Sequence, residues 1–568
     1  MRTAAVVATV VLTMASSGAA AAEPAMSRFD RPHHGFADTT LRPGTPQQAG
    51  LDPAPIDAAA EAIAAWTRPA PQRPLFSGAV ALMVHDGVIV HHSALGQALR
   101  YVDAAGTELP AEQQVPMRPD TVFDVASVSK LFTSLAVMCL VEDGEVAVTD
   151  PVAEHVPEFA ANGKAAITVE QLLTHTSGME PWIPLWRDWP DRESRLRAAL
   201  ERAPRDQPGT RYVYSDLNLI ALGVLVERVS GVGLDEFLAQ RITGPLGLDD
   251  TGYNPTDVER TAATEYQGTP PRGMVRGQVH DENAWSLGGV AGHAGVFSTA
   301  RDLAVLAQTI LNGGQYGGTR VLKPETVRAM LTDYNTEFPG NAHGLGFELN
   351  QRWYMGGLSG PRTAGHTGFT GTSLVIDPAS RSIAILLTNR VHPSRSWGSI
   401  NKARETWATG LARAMAVPPK HGPTTWFAAQ ADASTATLTT PELAPRGPVR
   451  VAFDAFVDSE GTDPLTVEYT VDGAEWRTAV LQAAGRGAPR GDQTGLAGSG
   501  HRSWWSVHAE LPYAAMLTIR WRSTTDGRYT GRGIHLDRIL VTDSDGILLN
   551  GEKQPHLMLP VGWTSETR

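Results

Sequence analysis

Ser127 and Lys130 stand three residues apart at the head of an apolar stretch, Leu131 to Val141. On a helix this spacing puts a hydroxyl and an amine on one face about a turn apart. An amine so placed can take the hydroxyl's proton and turn the serine into a nucleophile. A serine at a helix start also keeps its backbone N–H outside the helical ladder, where the helix dipole favours negative charge, so one residue can supply both attack and oxyanion stabilisation. If packing desolvates Lys130 its pKa falls, which makes it a base. The spacing alone also occurs on solvated helix faces, so the chemistry needs further groups. The chain has six Lys against 42 Arg, which makes a lysine at this position less accidental.

Two further constellations follow in order, Tyr214-Ser215-Asp216 just before a helical stretch and His366-Thr367-Gly368-Phe369 beside a strand. With Phe123-Asp124-Val125-Ala126-Ser127-Val128-Ser129-Lys130, Leu172-Leu173-Thr174-His175-Thr176-Ser177-Gly178 and Gly365 to Gly371, they give residues 45 to 415 their character. This region resembles the serine β-lactamase-like superfamily, in the branch of class C β-lactamases, DD-peptidases and esterases. The resemblance implies that Ser127 is the acylated nucleophile and Lys130 its proton acceptor. It implies that Tyr214 shares the base role and protonates the leaving group, its phenol pKa lowered by Lys130. His366, Thr367, Gly368 and Phe369 would line the substrate groove, with the N–H groups of Ser127 and Phe369 as the oxyanion hole.

Two positions depart from the pattern. Asp216 stands where many relatives have Asn, so an amide donor to substrate is lost unless Asn218 or another group supplies it. His366 replaces the Lys that β-lactamases of this branch use to hold a substrate carboxylate, and a histidine is mostly neutral at pH 7 unless a partner raises its pKa. Efficient β-lactam hydrolysis is therefore not expected, while ester and amide substrates stay open. Val279 to Ala284 and Gly288 to Gly295 are dense in polar and small residues and are similar to a subgroup of exported serine hydrolases that includes muramyl-peptide amidases. Their His280, Asp281, Glu282 and His293 read as a hydrogen-bond network or substrate contact rather than zinc ligands, because no H-x-x-x-H spacing is present. His175 reads as structural. Trp182, Trp186 and Trp189 are either an aromatic wall for a sugar or acyl group or ordinary packing.

Composition narrows the partners. A formal charge of −12 with no basic run leaves no electrostatic footprint for nucleic acid. Met1 to Ala22 reads as a cleavable secretory signal, with Arg2, an apolar core and Ala20-Ala21-Ala22, so a secreted or periplasmic location is expected. No later apolar run approaches the ~20 residues of a membrane span. The single Cys139 excludes an intrachain disulfide and a cysteine-based metal cluster, and neither metal nor cofactor is expected.

The elements that must position these groups follow from periodicity. Asp52 to Trp66 has helical spacing, and Gly78 to His92 reads as a hairpin turning at Asp86-Gly87. Ser373 to Ile376 and Ile383 to Leu387 form a second strand pair, followed by a helix from Asn401 to Ala416. Helices are expected over Leu131 to Val141, Thr168 to Thr174 with a capping box, and Leu217 to Val229. These predict an α/β (α+β) catalytic domain at 45–416, an antiparallel sheet with a helical insertion. The Pro-rich segment 417–424 reads as a linker. Period-two alternation beyond it predicts an all-β sandwich at 425–568, with Trp504, Trp505 and Trp521 more in keeping with core than with a ligand platform, Ala483 to Gly500 as a loop, and Tyr529 to Asp537 loosely like the closing strands of modules on secreted peptidases.

The expected activity is thus an exported serine hydrolase cleaving an amide or ester through an acyl-enzyme on Ser127, on cell-wall peptides or muropeptides. A carboxylesterase on small acyl esters, a weak β-lactamase and a non-catalytic wall-fragment binder or sensor remain open. The expected partners are a small peptide, muropeptide or acyl ester, and a glycan or wall polymer at the C-terminal domain.

Overall fold

The computed structural model describes residues 32–69, 73–428, 431–471, 473–498, 502–527 and 531–566. The expected signal segment, Asp472 and Tyr529-Thr530 lie outside the described residues.

The hairpin forms where its turn residues place it. Strands β1 (Gly78–His85) and β2 (Val88–Leu99) are joined by Asp86 and Gly87, both at positive φ (46° and 78°), the conformation a two-residue hairpin turn demands. Strands β3 (Glu348–Leu349), β4 (Ala364–Thr367), β5 (Thr372–Asp377) and β6 (Ser382–Thr388) come from the far end of this region. The spatial order is β2-β1-β6-β5-β4-β3, antiparallel throughout, with Arg42–Pro43 added in parallel beside β2.

Alternation along the strands splits the core into two layers. Val80, Leu82, Val84, Leu374, Ile383, Ile385 and Leu387 face one cluster, while Ala79, Ala81, Met83, Val375, Ala384 and Leu386 face the other. Helices α1 (Pro53–Trp66) and α5 (Asn401–Ala414) cover the second face, with Ile56, Ile63, Trp407 and Leu411 buried against it. The first face carries the inserted helices α2 (Ser129–Asp143), α3 (Asp216–Ser230) and α4 (Ala300–Leu311). Helices α2 and α3 are buried on nearly every side, which explains a sequence that is apolar all round rather than striped. Asp52 caps α1, and Gly144 and Gly231 end α2 and α3 in the left-handed conformation. No single described helix is long and apolar enough to cross a membrane.

Beyond residue 424 the described chain is all β apart from one short 3-10 turn. A seven-stranded and a five-stranded sheet share a core that includes Val451, Phe453, Leu465, Trp505 and Trp521. Trp505 and Trp521 are buried, and half-buried Trp504 donates its indole N–H to the Pro418 carbonyl, so none of the three is free as a ligand platform. The stretch from Ala483 is mostly turn and irregular backbone as far as Gly498, and Ser499 and Gly500 lie outside the described residues. It is anchored at two points: its start lies in a strand, Gln482–Ala484, paired with Ser506–His508, and Leu496 exchanges backbone hydrogen bonds with Leu465. The all-β region is bolted to the catalytic region by the buried pairs Arg352–Asp458 and Arg502–Asp377, each at 2.7 Å, by Arg413 donating to the Gly531 carbonyl, and by Arg532 donating to the Met415 carbonyl.

Candidate active site

Ser127 sits in a tight turn, Ala126–Val128, that runs straight into α2. Ala126 holds φ = 48°, a left-handed conformation that costs a non-glycine residue about 1 kcal/mol or more. Three devices hold the turn there. The buried Asp124 carboxylate accepts the Ala126 N–H at 2.8 Å and the His280 N–H at 2.6 Å. Thr370 and Thr372 donate their hydroxyls to the Asp124 and Val125 carbonyls. Gly368 lets the β4–β5 turn approach, since a Cβ there would run into the Val125 carbonyl oxygen. Arg404 on α5 closes the assembly by donating to the Gly368 and Thr372 carbonyls at 2.6 and 3.0 Å.

Lys130 is buried at the start of α2. Its ammonium donates to Ser127 Oγ at 3.0 Å and to the His293 carbonyl at 3.0 Å, and pairs with Asp216 Oδ1 at 2.8 Å. Three N–H donors meet three acceptors. Burial alone would strip the charge, but the Asp216 carboxylate and the Tyr214 phenol more than offset it, so the pKa lies above that of a free lysine. This corrects the expectation of a lowered pKa, because the sequence does not show that Asp216 arrives as the partner. Asp216 accordingly turns to Lys130 rather than offering a donor to substrate. Asn218 does not replace the lost amide either, being buried with its Oδ1 on the Ser177 hydroxyl and its Nδ2 against His175.

Tyr214 is held by His175. The His175 carbonyl takes the Val213 N–H at 2.9 Å, its Nδ1 takes the Ser215 N–H at 3.1 Å, and its ring lies 4.7 Å from the Tyr214 ring. The structural reading of His175 fits this geometry. The Lys130 ammonium stands 4.9 Å from the centre of the Tyr214 ring, and the phenol also interacts with Ser127. Burial nevertheless pushes the phenol up to about 12, with Lys130 only partly opposing it. The phenol is therefore neutral at rest, opposite to the expected direction.

The His280 to His293 segment is an ion-pair network. His280 binds Glu265 at 2.9 Å and stacks on Phe369 with ring centres 5.6 Å apart, while Arg395 pairs with Glu265 and Glu282. His293 Nε2 lies 2.9 Å from Asp281, which caps a short helix at Glu282–Ser286, and His293 pulls the Asp281 pKa well down against the cost of burial. Ligand atoms of Asp216, Asp281 and His293 gather within 4.8 Å of one another. The cation that Asp216 already holds is Lys130, which competes for the place of a metal.

A pocket of about 520 Å³ opens beside Ser127, lined by Tyr212, Tyr214, Glu348, His366, Thr367, Gly368, Phe369, Arg390, Arg395, Asn401 and Arg404 among others. It brings together Ser127, Tyr214 and the four third-motif residues, and Phe369 stands exposed at its edge. Trp182, Trp186 and Trp189 do not line it. His366 is 2% exposed and, through burial and the nearby Lys130 charge, falls to about 3, so its ring is neutral. Glu348 and Arg404 carry no spacing signal and escape sequence reasoning, while Asp124 stands in the nucleophile motif without a role of its own assigned from sequence. Burial raises Glu348 to about 7 and lowers Arg404 to about 10.

A protein of Escherichia coli strain K12 named "Putative D-alanyl-D-alanine carboxypeptidase" is 35% identical over 348 residues, 55% of this chain and 78% of the relative. A protein of the same name from Salmonella agona strain SL483 is 34% identical over 345 residues, 55% of this chain and 78% of the relative. Among solved structures, a penicillin-binding protein homologue from Caulobacter crescentus is 24% identical, covering 63% of this chain and 97% of its own at a TM-score of 0.49. EstCE1, a hydrolase with promiscuous acyltransferase activity, is 22% identical, covering 64% and 99% at a TM-score of 0.49. The Beta-lactamase family pattern matches residues 63–405, more than half of the chain and the whole stretch that builds the pocket, so the chain belongs to the Beta-lactamase family and is a serine hydrolase.

Proposed function

We propose that the protein is exported and cleaves an amide in cell-wall peptides or muropeptides through an acyl-enzyme on Ser127. The observation that carries this reading is the Lys130 ammonium, satisfied by Ser127 Oγ, Asp216 and the His293 carbonyl, with the Tyr214 phenol alongside. The names of the E. coli and Salmonella relatives support a peptide substrate.

In this reading Lys130 acts as a fixed cation. It steadies the charge that develops on Ser127 Oγ as that atom attacks the carbonyl carbon. The Ser127 proton passes to the Tyr214 oxygen while the Tyr214 proton passes to the departing nitrogen, so the phenol relays a proton without ionising, as its raised pKa requires. The bond from Ser127 Oγ to the acyl carbon forms and the carbon–nitrogen bond breaks. Water then releases the acyl group by the reverse relay. The Ser127 and Phe369 N–H groups are the proposed oxyanion donors. Within the β4–β5 turn the Gly368 N–H is spent on the Thr372 carbonyl, which leaves that of Phe369 for the task.

Digestion of a purified muropeptide mixture by the mature protein and by Ser127→Ala, read by mass spectrometry, tests the proposal. Peptides freed from their lactyl sugar identify a muramyl amidase, and loss of a terminal alanine identifies a carboxypeptidase. Products that persist in Ser127→Ala overturn the mechanism. A second reading, a carboxylesterase on small acyl esters, is favoured by the neutral His366. It gains if short esters turn over and muropeptides do not.

A further inference from the structure

The strip from His280 to Val296 is bonded along its length to the nucleophile turn and to α2. The His280 N–H reaches the Asp124 carboxylate at 2.6 Å, the group that also holds the Ala126 N–H. At the far end the Val296 N–H donates to Ser129 Oγ at 3.0 Å, and the Val296 carbonyl accepts the Val125 N–H at 3.1 Å. Between them Thr133 donates to the Gly292 carbonyl at 2.7 Å and Lys130 to the His293 carbonyl at 3.0 Å. A Cβ at Gly292 would run into the Leu219 carbonyl oxygen, so the strip also lies directly on α3. A carbonyl steadies an ammonium only as firmly as its own segment is held, and a misplacement of about 1 Å can cost a reaction about 10²-fold.

One side-chain contact ties the two arms of the strip together. His293 is 1% exposed, and its Nε2 lies 2.9 Å from Asp281 Oδ1, which also accepts the Ala284 N–H at 2.7 Å. Burial would raise the Asp281 carboxyl, but His293 and the Ala284 N–H outweigh it and hold it well below the usual carboxylate range, so Asp281 is ionised and accepts. The other ring nitrogen, Nδ1, is buried with no partner, and a proton there would be a stranded donor. The Nε2–H is therefore the one that Asp281 receives. A ring nitrogen of His293 and one carboxylate oxygen each from Asp281 and Asp216 lie within 4.8 Å of one another. The imidazole thus stands beside two carboxylates close enough to repel, one of them the partner of Lys130.

We propose that Asp281 and His293 are positioning residues for the Ser127 and Lys130 pair: their hydrogen bond closes the strip into a clamp that fixes the His293 carbonyl on the Lys130 ammonium, and the imidazole keeps the Asp281 carboxylate from displacing that of Asp216. Both side chains act through Lys130 and Asp216. The inference rests on the reading of Ser127 as the nucleophile, and it holds for an amide or an ester substrate. The charged and titratable groups around the pair are Lys130 on α2, Asp124 before the nucleophile turn, Tyr214 and Asp216 at the head of α3, Arg272 from the 266–274 hairpin, and His280 and Glu282 on the strip itself. All of these are left intact in the test.

The test is the rate at which an activated aryl phosphonate labels Ser127 across a range of pH, read by intact mass, with thermal unfolding to show that each variant is folded. It compares the wild type, His293→Leu, His293→Gln, and His293→Leu combined with Asp281→Asn. With His293→Leu the two carboxylates are left facing each other, one of them holds a proton to higher pH, and the acidic limb of the labelling profile moves up by about one pH unit. Labelling on the acid side of neutrality falls about tenfold, the same loss as neutralising Asp216. His293→Gln keeps an N–H for Asp281 and stays near the wild-type profile. Adding Asp281→Asn to His293→Leu brings the limb back, because the repulsion is gone. His293→Ser, too short to reach Asp281, serves for the same comparison if the His293→Leu chain does not fold. A packing role alone lowers the melting temperature and leaves the limb in place, and that result overturns the proposal, as does a limb that stays displaced in the double variant. A wild type that takes no label on Ser127 removes the nucleophile, and with it both this role and the proposed function. A labelled wild type whose variants keep its profile refutes the positioning pair alone, and one that leaves muropeptides intact refutes the proposed substrate alone.

Discussion

The two walls of the groove are built on opposite terms. On the Lys130 wall every ammonium hydrogen has its acceptor: Ser127 Oγ, Asp216 and the His293 carbonyl. On the His366 wall the outer nitrogen of the imidazole and the Arg404 Nε are buried with no partner. A satisfied wall is positioned before substrate enters and needs no rearrangement during the reaction. An unsatisfied wall gains its bonds only from a ligand, and that is where discrimination between substrates is strongest. The groove thus carries chemistry on one wall and recognition on the other.

Replacing Lys130 by Met strikes the satisfied wall hardest. It removes the cation beside Ser127 and strands the Asp216 carboxylate, so kcat should fall by about 10³-fold or more while KM stays near its original value. A comparable rise in KM would mean that Lys130 belongs to recognition and would erase the contrast. Tyr214→Phe deletes the relay but leaves the ammonium, and kcat should drop by about 10²-fold, which stopped-flow acylation with an activated ester resolves. An ester whose leaving group needs no proton should be spared most of this loss.

Asp216→Asn is gentler and more informative. Asp216 raises the Lys130 pKa, so its removal lowers that pKa, and the alkaline limb of the kcat/KM profile should move to lower pH. The expected loss near pH 7 is about tenfold. A profile that stays in place would show that Lys130 charge does not limit the reaction.

Glu348 probes the other wall through stability. Its folded pKa is raised from 4.5 to about 7, so the folded state is favoured most below pH 4.5 and loses that advantage as pH rises through 7. Relative to Glu348→Gln, the wild type should lose up to roughly 3 kcal/mol across this window, read by urea unfolding at several pH values. A flat difference would mean that the carboxyl is solvated rather than buried.

The sequence exposes the parts of this design whose physics is local. The Asp86-Gly87 turn, the Thr168/Gln171 capping box and the glycines that end α2 and α3 each carry their own signal, and each element forms there. The nucleophile turn and the third motif are legible because their spacing within a few residues reflects one helix or one strand. What is not legible depends on contacts between distant segments. The charge of Lys130 is set by Asp216, on another helix, and that of His366 by the layers packed around it. Glu348 and Arg404 belong to a short edge strand and to the last helix of the catalytic region, and nothing in their neighbours announces a shared pocket. The loop expected from Ala483 is legible over most of its described length, but its anchoring is not, since Leu496 exchanges hydrogen bonds with Leu465 in a distant strand.

Helix α5 brings Arg404 to the pocket near its start and Arg413 to the Gly531 carbonyl near its end, while Arg352–Asp458 and Arg502–Asp377 clamp the same junction. The catalytic sheet and the C-terminal sheets are therefore tied together through one end of that helix and two ion pairs. Melting one should take the other with it, so calorimetry should record one cooperative endotherm, and Asp458→Ala, which strands Arg352 in a dry contact, should divide that endotherm into two. The durability of the enzyme then rests on a junction far from its chemistry, and heat should silence it in a single step.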